Sequence, residues 1–280
     1  MPRQHDRRSG SARRLPARKR WGQHFLASDS VAERIVEAAR VGPTDAVLEV
    51  GPGDGALTRP LAARAALVAA VEIDPRRAEA LAHEFAQNSR VRVYSGDALS
   101  RPFSEWLAAA GAAQPALLVA NLPYNVATPI LTAAIQARSA IRRALVTVQR
   151  EVAQRFVARP GDESYGYLSV RVAAYATGRI LFDLPPSAFR PRPKVFSSVL
   201  ELVPLAEPLE PGLVKRALCL ASLGFNARRK TLANALASAG DRSSWETGLS
   251  RLEKTPKARA EELSLEEFLA LARDWKPAAG

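Results

Sequence analysis

The sequence predicts an α/β protein in which an open, mostly parallel sheet is followed by a small all-α C-terminal domain. In the first half of the chain, short apolar runs alternate with stretches of helical period, as in βα units. The first run ends in glycines at alternate positions, and only helical periodicity follows a late proline-rich segment. With 280 residues, of which 47% are hydrophobic, the chain has the material for two domains.

The apolar runs lie between residues 46 and 150, and each is short enough for one strand. Helical stretches lie between several of them, so we expect parallel strands joined by helices, with ligands bound at the carboxyl ends of the strands. The predicted strands are 46–50, 67–73, 91–94, 117–120 and 144–148, and the predicted helices are 56–64, 75–85 and 129–137.

Two further β-rich runs, 180–184 and 197–203, flank a proline-dense segment at 185–193 that is predicted to be an extended loop. Prolines then mark a linker, after which residues 213–236 and 261–275 have helical periodicity. The predicted division is a basic disordered arm (1–17), a catalytic domain (18–205) and a helical domain (206–280).

The 40 Lys and Arg residues exceed the 28 Asp and Glu residues, giving a net charge of +12. Such a charge attracts polyanions and favours a nucleic-acid partner, with a merely solubilising excess as the alternative. The basic residues crowd between Arg3 and Arg20, where Asp6 is the only acid. Gly, Ser and Pro interrupt this stretch, as is typical of a disordered arm.

The single cysteine, Cys219, excludes an internal disulfide and fits a reducing compartment, so we expect a cytoplasmic protein. No apolar run has the length of a signal peptide or a membrane span. An organellar transit peptide is the alternative for the Arg- and Ser-rich start, and Asp6 disfavours it. His5, His24 and His83 are scattered, and we expect no metal site.

The first apolar run ends in Gly51, Gly53 and Gly55, which let the backbone approach a ligand while the chain turns sharply. A phosphate-binding P-loop is excluded, because Ala56 follows in place of a Lys-Ser/Thr pair. The dinucleotide fingerprint also fits poorly, since its last glycine would stand at position 56, and Asp54 would repel a pyrophosphate. These residues favour a cationic, phosphate-free cofactor.

Two carboxylates close the next strands. Glu72 ends the second run, where a carboxylate can accept both hydrogens of a ribose diol, and Asp97 ends the third, where it can accept from an adenine amine. Taken singly, such residues are more often helix caps or turn residues. In register with Gly51 and Gly53, they resemble the S-adenosylmethionine site of class I methyltransferases, which predicts a Rossmann-like sheet.

The fourth run ends in Asn121-Leu122-Pro123-Tyr124. An adenine amine is a poor nucleophile, and acceptors on its two N–H bonds favour the charge-developing nitrogen of the transition state. The Asn121 side-chain oxygen and the Leu122 carbonyl can supply them, while Pro123 stiffens the turn. Tyr124 can stack on a base extruded from its helix. In isolation, an ordinary Asn-Pro turn would be the simpler interpretation.

Several motifs in one order together resemble the ribosomal RNA adenine dimethyltransferase family, and within it the small-subunit (16S) branch. The resemblance covers nearly the whole chain, from Arg18 to Leu232. The motifs are Arg18 to Leu26, Gly51 to Gly55, Asn121 to Tyr124, Glu151 to Arg155, Tyr165 to Val170, Phe189 to Val195 and Phe225 to Leu232.

The resemblance implies N6 dimethylation of two adjacent adenosines near the 3′ end of 16S rRNA, in an immature small subunit, by a monomeric enzyme. It also implies that Phe189 closes the adenine pocket opposite Tyr124. The chain departs from the family at His24, where some members carry Asn, and at Tyr167, where Arg is common. The residues implied to contact S-adenosylmethionine are His24, Leu26, Gly51, Gly53, Glu72, Asp97 and Asn121.

Three alternatives stay open. A large-subunit rRNA adenine methyltransferase would usually carry Ile and Phe in the four-residue motif, where Leu122 and Tyr124 stand here. A DNA adenine methyltransferase would need a target-recognition domain larger than the helical tail. A noncatalytic ribosome-assembly factor on the same fold would bind RNA through its basic surface, although the intact Asn121 argues for catalysis.

Overall fold

The computed structural model describes residues 23–275. The predicted arm at 1–17 and the first motif residues, 18–22, lie outside the described residues.

Nine strands and eleven α-helices make up the described part of the chain. In chain order the strands are β1 (Phe25–Leu26), β2 (Ala46–Val50), β3 (Leu67–Glu72), β4 (Val91–Ser95), β5 (Ala116–Asn121), β6 (Ile141–Gln149), β7 (Ala176–Leu184), β8 (Phe189–Arg190) and β9 (Ser197–Pro204). The helices are α1 (Asp29–Ala39), α2 (Thr58–Arg64), α3 (Pro75–Glu84), α4 (Phe103–Ala110), α5 (Ala127–Gln136), α6 (Arg150–Val157), α7 (Tyr167–Ala173), α8 (Pro211–Asn226), α9 (Leu232–Ala235), α10 (Arg242–Arg251) and α11 (Leu265–Asp274).

Seven strands form one sheet in the order β4-β3-β2-β5-β6-β9-β7. The first five are parallel, while β9 runs antiparallel to both β6 and β7. All five residues of the central strand β2 are buried, as in parallel strands covered by helices on both faces. The parallel α/β sheet predicted from the alternating runs is confirmed.

The strand order reverses between β2 and β5. From β2 the chain builds outwards through β3 and β4, whereas β5 and β6 lie on the other side of β2. The loops that follow β2 and β5 therefore diverge and leave a crevice at the carboxyl edge of the sheet, which is the usual ligand position in such folds. The glycines from Gly51 and the motif from Asn121 begin at this point.

The structure corrects two local predictions. The helical periodicity of residues 213–236 predicts helix throughout, but α8 ends at Asn226 and α9 begins at Leu232. The expected extended loop at 185–193 contains a 3₁₀ turn, Pro186–Ala188, and the short strand β8. Strand β8 forms because its partner is β1, and nothing in the local sequence signals a pairing across more than 160 residues.

The C-terminal helices have their own apolar core, into which Tyr165 and Val170 from the region of α7 also pack. The Tyr165 hydroxyl donates to the Leu263 carbonyl at 2.7 Å. The predicted boundary after residue 205 falls between β9 and α8, and the division into domains stays a prediction. Within residues 23–275, no helix combines the length and apolarity that crossing a bilayer requires.

Candidate functional site

A cavity of about 590 Å³ opens at the carboxyl ends of β2 and β5, a size typical of small-molecule sites. A second cavity of about 60 Å³ adjoins it, and Phe25, Gly51 and Asn121 line both. Of the predicted site residues, Leu26, Gly51, Gly53 and Asn121 line the larger cavity, and His24, Gly51, Glu72, Asn121, Leu122 and Pro123 line the smaller one.

The glycine loop needs its glycines for both conformation and space. Gly51, Gly53 and Gly55 have φ values of +70°, +58° and +77°, in the left-handed region that other residues rarely adopt. A Cβ on Gly53 would lie 2.6 Å from Cε1 of Phe25. The loop backbone therefore lies directly against the ring of Phe25, and any side chain at position 53 would displace it.

The Glu72 carboxylate holds this loop against the end of β3. Its Oε2 accepts a hydrogen bond from the Gly53 amide and its Oε1 accepts one from the Asp74 amide, both at 2.9 Å. The side chain is almost fully buried, and burial raises its pKa above the usual value. Each oxygen keeps a second lone pair, so the carboxylate can also accept from a ligand hydroxyl in the crevice.

Glu49, for which the sequence predicts no role, lies in the wall of the larger cavity. Its side chain is 1% exposed, and burial raises its pKa to about 8. Its Oε2 atom has no hydrogen bond of good geometry among the described residues, although the Thr58 hydroxyl lies near enough to the carboxyl to lower its pKa in part. A buried acceptor of this kind is costly unless a ligand satisfies it. The sequence does contain a signal for this residue, because a carboxylate inside an apolar run, just before the glycines, is unusual.

Asp54 does not act as a free negative charge in the loop. It forms an ion pair with Arg77, a fully buried arginine of α3. The guanidinium carbon of Arg77 also lies 4.2 Å from the centroid of the Phe25 ring. The inference that Asp54 repels a pyrophosphate is therefore weakened, because the charge of Asp54 is already paired with that of Arg77.

Strand β1 brings the segment around His24 over the crevice. It pairs antiparallel with β8, with Phe25 opposite Arg190 and Leu26 opposite Phe189. The Ala27 amide also donates to the Ala188 carbonyl at 2.8 Å. This pairing explains how residues near the N-terminus reach a site formed by β2 and β5.

Asn121 is held in one amide orientation. Its Nδ2 donates to the main-chain carbonyl of His24 at 2.8 Å, and a carbonyl oxygen can only accept. The amide nitrogen therefore faces His24, and Oδ1 is turned to the opposite side as an acceptor. Asn121 is also one of the residues that line both cavities.

Tyr124 is fixed from two sides. Its ring stacks on that of His24, with the centroids 5.0 Å apart and the planes inclined by 28°. Its hydroxyl shares a 2.5 Å hydrogen bond with the buried hydroxyl of Ser197, which the sequence argument also missed. His24 Nδ1 lies 2.7 Å from the Pro191 carbonyl and must carry a hydrogen, because that oxygen cannot donate. Burial raises the pKa of Tyr124.

Three predicted residues, Tyr124, Asp97 and Phe189, line neither cavity. Asp97 is exposed at the end of β4, and its Oδ1 accepts from the Leu99 amide at 2.9 Å, as in an ordinary turn. Phe189 is 0% exposed and belongs to the apolar cluster that contains Leu26 and Val36. In this structure its ring is therefore part of the apolar core, and the assigned roles of Asp97 and Phe189 stay predictions.

Comparison with curated proteins finds close relatives over nearly the full length. The family described as "Ribosomal RNA adenine dimethylase" matches residues 14–275. "Ribosomal RNA small subunit methyltransferase A" of Methylococcus capsulatus is 41% identical over 260 residues, covering 93% of this chain and 98% of the relative. The protein of the same name from Moorella thermoacetica is 40% identical, with 92% of each chain covered.

Two solved structures share the architecture. The 23S rRNA methyltransferase ErmE superposes with a TM-score of 0.70 at 28% identity, covering 89% of this chain and 98% of its own. A dimethyladenosine transferase from Plasmodium falciparum gives a TM-score of 0.71 at 24% identity, covering 89% and 96%, and supports the fold. The predicted class I methyltransferase fold is confirmed, and the chain belongs to the ribosomal RNA adenine dimethylase family.

Proposed function

We propose that this protein transfers methyl groups from S-adenosylmethionine to the N6 amines of two adjacent adenosines near the 3′ end of 16S rRNA, each of which receives two. The observation that carries the proposal is that Asn121 lines both cavities and that its bond to the His24 carbonyl fixes its amide orientation. The relatives named for the small subunit support the choice of RNA.

The larger cavity fits a cationic, phosphate-free cofactor. Glu49 presents an unsatisfied carboxyl oxygen, and Asp29, Asp54 and Glu84 also line the cavity. The two arginines in its wall, Arg59 and Arg77, are engaged in ion pairs with Glu84 and Asp54. S-adenosylmethionine, when bound, would supply an activated methyl group on a sulfonium.

The chain's own residues would bind and orient the reactants. Glu72 would accept from the ribose hydroxyls, and the loop at Gly51 and Gly53 would let the backbone approach the cofactor. We retain Asp97 for the adenine amine of the cofactor, together with His24 and Leu26 as contacts.

For the acceptor base, Asn121 Oδ1 and the Leu122 carbonyl would accept the two N–H bonds and stabilise the positive charge that develops on nitrogen. Pro123 restrains this turn, and the ring of Tyr124 would stack on the base. The protein supplies position and electrostatics for an in-line displacement, and the amine proton can leave after methyl transfer. Phe189 would reach the base only after leaving its buried position.

The proposal includes a monomeric, cytoplasmic enzyme acting on immature small subunits. The likeness to ErmE leaves large-subunit RNA as the second candidate. Leu122 and Tyr124, where Ile and Phe are usual in that branch, favour the small subunit.

The deciding experiment is tritiated methyl transfer to small subunits from an unmethylated strain, with large subunits as the parallel substrate and Asn121→Ala as the inactive control. Nucleoside analysis should find N6,N6-dimethyladenosine in the small-subunit RNA alone. Label confined to large-subunit RNA, or a different nucleoside, would assign the protein to one of the rivals. No label in either RNA would favour a noncatalytic assembly factor.

A further inference from the structure

The loop between β8 and β9, residues 191–196, exposes an unusual combination of side chains. Val195 and Phe196 are 47% and 44% exposed, among the largest exposures of bulky apolar residues in the described part of the chain. Arg192 and Lys194 of the loop, and Arg190 just before it, are also exposed. None of these three cations has an acidic partner among residues 23–275.

Phe196 makes two contacts with Arg150 despite its exposure. Its carbonyl accepts from the Arg150 amide at 3.0 Å, and the guanidinium carbon of Arg150 lies 4.6 Å from the centroid of its ring. Arg150 is in turn paired with Asp183, whose other oxygen accepts from the Ser198 hydroxyl at 2.5 Å. The ring is therefore held by a cation–π contact in a short network that spans α6, β7 and β9.

Phe196 is next in the chain to the residue that holds Tyr124, the proposed position of the target base. Ser197 follows Phe196 directly, and its hydroxyl is bonded to that of Tyr124. The loop also begins at Pro191, whose carbonyl bonds to the His24 ring stacked on Tyr124. Both ends of the 191–196 loop are thus anchored to the two rings at the active site.

A fixed, exposed aromatic ring among unpaired cations is the arrangement by which proteins bind single-stranded nucleic acid, because bases stack on the ring and phosphates pair with the cations. A protein partner would bury the same apolar surface but would leave the cations to be satisfied separately. The charge therefore favours RNA as the occupant.

We propose that Phe196 is a stacking platform for a base adjacent to the target adenosine, with Arg190, Arg192 and Lys194 on the flanking phosphates. This inference rests on the proposed function only in taking Tyr124 as the position of the target base. It assigns the 191–196 loop a role in holding the RNA strand as it enters the site.

The test uses a short single-stranded RNA containing two adjacent adenosines, with the fluorescent base 2-aminopurine on one side or the other. Binding by the full-length protein should quench the probe on one side, because stacking on an aromatic ring quenches it. Phe196→Ala should abolish the quenching and weaken binding by about 5- to 150-fold, the value of one stacked base. Phe196→Trp should retain both.

Phe196→Leu separates stacking from apolar contact, because it keeps bulk beside Arg150 but has no ring. It should behave like Phe196→Ala. Val203→Ala, which shortens an equally apolar exposed side chain on β9 away from the site, is the control and should bind like the wild type. Lys194→Ala should lower the slope of log affinity against log salt by about 0.7.

The proposal would be overturned if Phe196→Ala still quenched the probe on the side where the wild type quenches it. So would normal RNA binding by the Ala and Leu variants together with weaker binding to whole small subunits, which would identify a protein contact. The assay needs no methyl transfer, so its result is independent of the tritium experiment. A protein that transfers no methyl group but shows quenching that depends on Phe196 would refute the proposed function and still support the stacking role of Phe196.

Discussion

Glu72 and Gly53 are joined by a 2.9 Å hydrogen bond from the glycine amide to the carboxylate, which ties the loop after β2 to the end of β3. The other oxygen of Glu72 accepts from Asp74, so one side chain sets both the glycine loop and the start of α3. A carboxylate suits this position because both of its oxygens accept and neither donates.

Glu72→Gln is therefore expected to weaken cofactor binding although it changes the size of the side chain very little. Its amide nitrogen would face one of two backbone donors, leaving a buried N–H group without an acceptor at a cost of about 1–3 kcal/mol. Calorimetry with S-adenosylmethionine and urea denaturation should both register the loss. Unchanged affinity would mean that the ribose binds elsewhere.

Gly53→Ala should be more damaging than Gly51→Ala. Both have positive φ, but a Cβ at position 53 would lie 2.6 Å from Phe25, whereas at position 51 its nearest neighbour, Pro123 Cδ, is 3.5 Å away. We expect a loss in the free energy of unfolding of about 1 kcal/mol for Gly51→Ala, and one to two more for Gly53→Ala. Gly161→Ala, with φ of +90° and open space around it, measures backbone strain alone. Equal losses at 51 and 53 would contradict the close contact with Phe25.

Asn121→Ala should lower kcat by about 10²- to 10³-fold, the usual effect of removing one hydrogen-bonding group that stabilises transition-state charge. Binding of small subunits, measured by sedimentation, should change little because the RNA surface is left intact. Methylation at the wild-type rate would refute the role given to the Asn121 oxygen.

Glu49→Gln should alter the pH dependence of stability. The carboxyl titrates near 4.5 in the unfolded chain and near 8 when folded, so the unfolded state loses its proton first as pH rises. The contribution of Glu49 to the free energy of unfolding is complete below pH 4.5 and decreases as pH rises towards 8, by at most about 1.4 kcal/mol per pH unit. Urea denaturation across this range should show a flatter profile for the variant, and parallel profiles would exclude a strongly raised pKa.

A bound cation next to Glu49 favours its ionised form. Binding of S-adenosylmethionine below pH 8 should therefore release a proton, seen in calorimetry as a heat that depends on the ionisation enthalpy of the buffer. The Glu49→Gln variant should show a smaller buffer dependence.

Ser197→Ala and Tyr124→Phe remove the two ends of one hydrogen bond. Each should reduce kcat/KM by about 2- to 13-fold, the worth of a typical hydrogen bond, and the double variant should be little worse than either. Fully additive losses would show that the Ser197 hydroxyl does not act through Tyr124.

The sequence predicted those parts of the site that are local in the chain. The run before Gly51 matches β2 at both ends, and the Asn121 motif follows β5 as expected. Both depend on short-range signals, namely apolar periodicity and glycines at a strand end. Ser197 and the covering strand β1 were missed because their roles come from contacts with residues more than 70 positions away.

Charged residues were the other source of error. The sequence predicts an unscreened charge at Asp54, because its partner Arg77 lies beyond α2, in α3, and sequence spacing alone does not identify that pair. Glu49 was overlooked for the opposite reason: its effect comes from burial in β2, which only packing reveals.

The pairing of β1 with β8 also bears on the order in which the protein is made. A nascent chain that has left the ribosome as far as residue 150 carries the glycine loop, Glu72 and Asn121, yet residues 25–26 have no partner until residues 189–190 emerge. The carbonyl of His24 that orients Asn121 is therefore positioned late in synthesis. Incomplete chains have no closed site, and competence for catalysis is coupled to translation of almost the entire methyltransferase domain.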